Sequence, residues 1–181
     1  MFKGENIFIR LLEREDLPYR VEWLNNNEIS SGITIDGPVS LAKTQAWFQK
    51  ILLDDNKRHF IIIDNKTKEP IGIIGLVDID FRNRKSELYI AIGNKTYWGR
   101  NLGSEALQII LEYSFNDLDL NKVYLYTHMG NVRAQKFYDK NGFVKEGILR
   151  QHKYHKGKLE DYVVFSILKS EWKQRRKINE R

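Results

Sequence analysis

Hydrophobic runs and turn residues alternate along the first half of the chain in a pattern typical of an antiparallel meander. Apolar runs of strand length predict strands at 7–12, 58–64, 71–81 and 87–92. The polar turns at 64–70 and 82–85 are short, so we expect the last three of these strands to pair antiparallel. Helical spacing predicts helices at 13–25 and from a Ser40 cap to about 53, with a polar loop at 25–32.

Helical and strand patterns alternate in the second half of the chain. They predict helices at 102–116 and 132–140, strands at 122–127, 143–154 and 159–168, and a last short helix starting at Ser170. The strand at 122–127 follows a strand, a loop and a helix, and such a unit closes by a right-handed crossover. We therefore expect this strand to lie parallel to 87–92, in an α+β fold whose other strand pairs are antiparallel.

The loop at 93–104 has the composition of an anion-binding turn. Gly99 and Gly103 allow backbone conformations that other residues rarely adopt, Asn101 tolerates a left-handed conformation, and Arg100 adds a positive charge. Unpaired N–H groups at the start of a helix attract phosphate groups. The glycines are equally consistent with a tight turn that binds nothing, and the loop contains neither a P-loop nor a G-x-G-x-x-G motif.

Composition narrows the classes of function. The 181 residues, 41% of them hydrophobic, predict a single domain over 1–181 with a basic tail at about 173–181. The net charge of +6 mildly favours anionic ligands and mildly disfavours a polycation such as spermidine, although a local potential can oppose the net charge. Without cysteine, the chain forms no disulfide, no thiolate metal site and no thioester of its own.

The same composition argues against several partners. No apolar run approaches the ~18 residues of a membrane-spanning helix, and the first residues are charged, so we expect a cytoplasmic protein without membrane contact. No basic stripe lies outside the tail, which argues against a nucleic-acid partner. His152 and His155 fall on opposite faces of a strand without an acidic cluster, so we expect no metal.

The helix at 132–140 carries a second group of candidate residues. Asn131 precedes the helix, Tyr138 lies in its last turn, and Gly142 supplies the left-handed conformation that ends it. Asn131 and Tyr138 have side chains that can bind a ligand, but Asn131 can also serve only as a helix cap and Tyr138 only as a core aromatic residue. The residues alone leave these alternatives open.

Two segments together resemble the motifs of the GNAT acetyltransferases. Residues 97–106 resemble the family's acetyl-coenzyme A loop, Q/R-x-x-G-x-G/A, with Trp98 in place of Gln or Arg and Asn101 in place of the middle glycine. Residues 131–143 resemble the family's N-x-x-A-x-x-F-Y-x-x-x-G-F helix. The resemblance spans nearly the whole chain. Within the family, the chain resembles the subgroup that includes ribosomal-protein N-terminal, spermidine and amino-sugar acetyltransferases.

The resemblance implies a fold and a reaction. The GNAT fold has a mixed, mostly antiparallel central sheet with helices on both faces, splayed at one parallel strand pair. The implied enzyme is an N-acetyltransferase with acetyl-coenzyme A as cosubstrate and no metal, in which a primary amine attacks directly in a ternary complex. The amine would be a protein N-terminus, a polyamine, an amino sugar or another small amine, and a homodimer is compatible with the family. The alternative is a non-catalytic, coenzyme A-binding regulatory module.

The resemblance also implies roles for individual residues. Tyr138 would be the general acid that protonates the departing thiolate, and N–H groups at 91–93, where the family's strand carries a bulge, would polarise the thioester carbonyl. Tyr126 holds the position of the glutamate base of several relatives, so the candidate bases are Glu28, Glu87 and His128, or a chain of water molecules. The implied cofactor-binding residues are Ala91, Ile92, Gly93, Trp98, Gly99, Arg100, Asn101, Leu102, Gly103, Ser104, Asn131, Ala134, Lys136 and Tyr138.

Overall fold

The structure is a computed structural model that describes residues 1–30, 38–155 and 157–179. These residues form a mixed sheet of eight strands in the order β1-β2-β3-β4-β5-β6-β8-β7. The strands are β1 Phe2–Lys3, β2 Ile7–Leu11, β3 Arg58–Asp64, β4 Pro70–Asp80, β5 Lys85–Ile92, β6 Lys122–His128, β7 Val144–His155 and β8 Lys158–Leu168. The helices are α1 Leu17–Asn25, α2 Asn27–Ser30, α3 Leu41–Ile51, α4 Leu102–Glu112, α5 Val132–Lys140 and α6 Lys169–Asn179.

The structure contains the parallel strand pair that the crossover predicted, and the two strands are paired over only a few residues. Strand β5 pairs with β6 only over Lys85 to Glu87, which face Lys122 to Tyr124. Beyond Glu87, β5 stays paired with β4, whereas β6 stays paired with β8. The two central strands therefore diverge and leave a V-shaped opening in the sheet. This confirms the predicted fold class and the predicted splay.

Helices cover the sheet on both faces, as predicted. Apolar side chains recur along α4 at i, i+3 and i+4, so Leu107, Ile110 and Leu111 are fully buried against one face. The opposite face carries a second cluster, in which Trp23 of α1 and Phe48 of α3 are buried. The sheet is thus the middle layer of three, and the opening between β5 and β6 lies between the two apolar clusters.

The structure differs from the prediction at three elements. A short strand, β1, pairs with β2, and α6 extends from Lys169 to Asn179 instead of forming a stub. The predicted loop at 25–32 contains α2, and residues 31–37 lie outside the described part of the chain. The Asn26 side chain accepts a hydrogen bond from the Glu28 N–H group at 3.1 Å, and Ile29 is buried. A local cap and tertiary burial therefore outweigh the turn-forming composition of this segment.

Gly72 allows β4 and β5 to approach closely beside the opening. A Cβ atom at this position would lie 2.4 Å from the carbonyl oxygen of Ala91 and 3.0 Å from the Cα atom of Ile92. Because these atoms belong to the backbone, Gly72→Ala should shift β5 and lower the free energy of unfolding by about 1–3 kcal/mol. Chemical denaturation measures this loss. Gly147→Ala is the control, since nothing lies within 4 Å of its Cβ position, and an equal cost for the two variants would contradict the close approach.

Candidate active site

A cavity of about 380 Å³ occupies the opening between β5 and β6. The C-terminal end of β5, the start of α4 and one side of α5 form its walls. Both sequence segments that resemble family motifs contribute to it. The predicted site residues that line it are Glu28, Ala91, Ile92, Trp98, Gly99, Asn101, Leu102, Gly103, Ser104, Asn131, Ala134 and Tyr138.

The loop before α4 has the left-handed backbone that its sequence predicts. Gly99 has a φ of 77° and Asn101 has a φ of 62°, so the asparagine adopts the conformation for which glycine is usual. Within the described part of the chain, the N–H groups of residues 99–103 donate no hydrogen bond. Four of these residues, Gly99, Asn101, Leu102 and Gly103, line the cavity at the positive end of the α4 dipole, which is an arrangement suited to a pyrophosphate.

The pairing of β5 with β4 determines which backbone groups face the opening. The N–H groups of Gly93 and Asn94 both donate to the carbonyl oxygen of Ile71, at 2.8 and 3.2 Å, and this doubled contact is typical of a β-bulge. Residues of an antiparallel ladder alternate in direction, so Ala91 also bonds toward β4, whereas the N–H and C=O groups of Ile92 point toward β6. Of the three N–H groups expected at 91–93, the one that faces the opening belongs to Ile92.

Trp98 connects the loop to this strand. Its indole Nε1–H donates to the carbonyl oxygen of Ile92 at 2.9 Å. The guanidinium carbon of Arg133 lies 4.2 Å from the centroid of the Trp98 ring. Trp98 therefore contacts both the strand that carries the Ile92 N–H group and the first turn of α5.

Helix α5 places Asn131 and Tyr138 on the cavity wall. The Oδ1 atom of Asn131 accepts from the Ala134 N–H group at 3.0 Å, so Asn131 is a helix cap, and its Nδ2 atom remains available to a ligand. Tyr138 is 8% exposed, and burial raises the pKa of its phenol. Its hydroxyl makes no hydrogen bond within the described part of the chain, so this protonated O–H group is available as a donor in the cavity.

A hydrogen bond joins the two motif segments beneath the cavity. The Nδ2 atom of Asn141, at the end of α5, donates to the Oγ atom of Ser104 at 3.1 Å and to the carbonyl oxygen of Phe137 at 2.8 Å. Ser104 and Asn141 are both buried. This contact keeps the start of α4 and the end of α5 at a constant separation.

The three candidate bases have different surroundings. Glu28 lines the cavity and forms an ion pair with Lys95. His128 is outside the cavity lining, its Nδ1 atom accepts from the Gly130 N–H group at 3.0 Å, and its Nε2 atom lies 2.9 Å from Glu160. Both ring nitrogens of His128 therefore have partners within the protein.

Glu87 lies at the point where the parallel pair ends. It is half-buried, and burial raises the pKa of its carboxyl group, opposed by the positive charge of Lys153. Ile92 lies five positions after Glu87, which corresponds to about 16 Å along a strand. Glu87 is therefore remote from the Ile92 N–H group but lies on the same sheet face as Tyr124 and Tyr126 of β6.

Some predicted site residues lie elsewhere, and some lining residues were not predicted. Arg100 and Lys136 are exposed and outside the cavity lining, and Gly93 lies against the Trp23 ring. The lining residues missed by the sequence interpretation are Ile29, Ile90, Tyr97, Thr127, Arg133, Phe137 and Lys140. Phe137 lies three residues after Ala134, so helical spacing from that predicted residue provides a signal for it. Ile29 reaches the cavity only through the tertiary position of α2.

Two classes of feature were not found in residues 1–30, 38–155 and 157–179. These residues contain no group of three or more His, Cys, Asp or Glu side chains arranged to hold a metal ion. None of the helices they form has both the length and the apolar character needed to cross a membrane.

Known proteins match the chain over nearly its whole length. A family model described as an acetyltransferase (GNAT) domain matches residues 6–144, a range that contains both motif segments. The spermidine N(1)-acetyltransferase of Vibrio cholerae is 30% identical over 95% of this chain and 98% of its own length. YdaF of Bacillus subtilis, named as a ribosomal N-acetyltransferase, is 29% identical over 93% of this chain and 94% of its own.

A solved structure shows the same fold. The Vibrio cholerae spermidine N-acetyltransferase, crystallised in complex with CoA and spermine, matches with a TM-score of 0.87 and 29% sequence identity. The match covers 93% of this chain and 99% of the other. The two chains therefore share one fold over nearly their whole length.

Proposed function

The chain belongs to the GNAT acetyltransferase family, and we propose that this acetyl-coenzyme A-dependent N-acetyltransferase acts on a primary amine of a polyamine. The reaction class follows from the family and from relatives named as N-acetyltransferases. The choice of acceptor rests on one observation above all, the half-buried carboxylate of Glu87 at the closed end of the V. The steps of the reaction are assigned below to residues of the cavity, and the distal part of the acceptor is assigned to Glu87, which lies outside the cavity lining.

The cavity fits the cosubstrate. The N–H groups of residues 99–103 and the positive end of α4 would hold the pyrophosphate, and the Asn131 Nδ2 atom would donate to the pantetheine arm. Acetyl-coenzyme A supplies an activated acyl group when bound. The Ile92 N–H group, directed into the opening, would donate to the thioester carbonyl oxygen, and Tyr138 would donate its proton to the leaving sulfur.

The acceptor must lose a proton before it attacks. An alkylammonium with a pKa of ~10.4 costs about 4.6 kcal/mol to deprotonate at pH 7, whereas an α-ammonium with a pKa of ~7.7 costs about 1 kcal/mol. A polyamine therefore needs a base. We propose Glu28 for this role because, of the three candidate residues, it alone shares the cavity with Ile92 and Tyr138. Lys95 would hold the Glu28 carboxylate in place.

Glu87 would bind a second ammonium of the acceptor. Glu87 lies about 16 Å along β5 from Ile92, so only an elongated acceptor with a distal positive charge engages both ends. The negative charges of Asp78 and Glu87 act on the same region, while Lys153 opposes them. The local potential at the closed end can thus favour a cation despite the net charge of +6.

Thiol release from acetyl-coenzyme A over a panel of acceptors tests this function. We expect kcat/KM for spermidine and spermine to exceed that for peptides with a free N-terminus by at least about tenfold. The opposite order would favour a protein N-terminus, as the relative YdaF suggests, and would leave the N-acetyltransferase reaction intact. Thermal stabilisation by acetyl-coenzyme A without thiol release from any acceptor would instead favour the non-catalytic module.

A further inference from the structure

The loop that resembles the family's pyrophosphate motif carries its own arginine on the outside of the protein. Arg100 is exposed, lies outside the cavity lining, and has its guanidinium carbon 5.1 Å from the centroid of the Tyr97 ring. The residue at the motif's usual Gln or Arg position is Trp98, which carries no charge. The loop by itself therefore presents backbone N–H groups to a pyrophosphate but directs no cation into the cavity.

Among the described residues, Arg133 is the arginine that lines the cavity; it is exposed like Arg100, but it approaches from α5. Its guanidinium lies over the face of Trp98, with 4.2 Å between its central carbon and the ring centroid. Within the described part of the chain, the Trp98 ring is its contact, and the guanidinium forms no hydrogen bond or ion pair. A guanidinium held by its face keeps its N–H donors at its edge, where they can form two parallel bonds to phosphate oxygens.

Of the residues that the structure describes, Lys140 is the other basic one in the cavity lining, and it lies at a different place. Its Nζ atom is 3.5 Å from the Asn101 Oδ1 atom, and it also borders a second cavity of about 460 Å³ beside α6. Arg133 instead lies at the first turn of α5, next to Trp98 and the Ile92 carbonyl group that the Trp98 indole binds.

We propose that Arg133, held by Trp98, supplies the positive charge for the cosubstrate's pyrophosphate, and that Trp98 couples this contact to the orientation of Ile92. One ring makes both contacts: its face binds the arginine, and its Nε1–H group binds the carbonyl oxygen of the residue that faces the thioester. Trp98 is thus a positioning residue and Arg133 a cofactor-binding residue. The inference rests on the proposed use of this cavity for coenzyme A and is independent of the acceptor.

Equilibrium binding separates the role of Arg133 from that of Arg100. Arg133→Met should raise the Kd for coenzyme A by about tenfold or more, because it removes a charged phosphate contact. Arg82→Met, at an exposed arginine in the β4–β5 turn, controls for the lost net charge. The rise should persist with dephospho-coenzyme A, which keeps the pyrophosphate but lacks the 3′-phosphate. A larger rise for Arg100→Met, or loss of the effect with dephospho-coenzyme A, would overturn the assignment.

Two Trp98 variants test the coupling. Trp98→Phe keeps an aromatic face for Arg133 but loses the indole donor, so we expect a kcat about tenfold lower with a Kd for coenzyme A within about threefold of wild type. Trp98→Leu loses both contacts and should raise Kd as well. Equal effects of the two variants on Kd and kcat would mean that Trp98 only packs. Because Kd is measured without acceptor, a wrong polyamine assignment leaves this test unaffected.

Discussion

Tyr138→Phe should lower kcat by roughly 10²–10⁴ while the Kd for acetyl-coenzyme A stays within about twofold of wild type. The phenol lines the cavity, and its hydroxyl is not engaged by the described part of the protein. Because burial raises its pKa, the group stays protonated throughout the working pH range and can give its proton to the leaving sulfur. The raised pKa also means that Tyr138 should produce no alkaline decline in kcat below pH 10.

Steady-state kinetics and calorimetric binding together check this result. Tyr113→Phe is the control, since it removes the same hydroxyl from a residue that packs with Phe2 and Phe60 away from the cavity. Its kcat should stay within about twofold of wild type. If Tyr138→Phe turned over at the wild-type rate, another group or a water molecule would protonate the thiolate, and the cavity position of Tyr138 would serve packing alone.

The fold was largely predictable because local pattern and chain connectivity determine most of it. Apolar periodicity identified α4, and the crossover from β5 through α4 to β6 required the parallel pair that opens the sheet. Asn101 was expected to tolerate a left-handed conformation, and with a φ of 62° it adopts one. The insertion of β8 between β6 and β7 was not predicted, because a hairpin pattern does not specify which of its strands joins the sheet.

The site was less predictable because it depends on which groups face the cavity, and not only on where residues lie in the sequence. Arg100 lies in the motif, yet it is outside the cavity lining and its guanidinium lies over the Tyr97 ring. Arg133 lines the cavity although nothing in the loop sequence indicates it. The N–H group that faces the opening belongs to Ile92 rather than Gly93, and only the hydrogen bond from Gly93 to Ile71 shows this. Strand register and side-chain orientation are set by tertiary packing.

Glu28→Gln should lower kcat by roughly 10²–10⁴ with little change in the KM for the acceptor, because it removes the proposed base but keeps the size of the side chain. Rates measured between pH 6 and 9 check it, since the loss should be smallest at high pH, where more of the amine is already unprotonated. Lys95→Met is the matched control: it breaks the same ion pair and leaves the carboxylate in the cavity. An equal loss of kcat in both variants would mean that the ion pair supports structure only.

Glu87→Gln should have the opposite kinetic signature, a KM for spermidine raised about tenfold with kcat nearly unchanged, because Glu87 would bind a distal ammonium rather than the reacting amine. Only the carboxylate attracts that ammonium, and burial raises the pKa of Glu87. The wild-type KM should therefore rise as the pH falls toward this raised pKa, and the variant should lose that dependence.

A raised pKa in the folded state also means that ionisation of Glu87 disfavours folding at neutral pH. Its favourable contribution is present below the pKa of the unfolded chain and is lost as the pH rises through the folded value. Glu87→Gln should therefore have a Tm at pH 7 equal to or above that of wild type, and a lower Tm together with a lower kcat would show that Glu87 supports the sheet rather than the substrate.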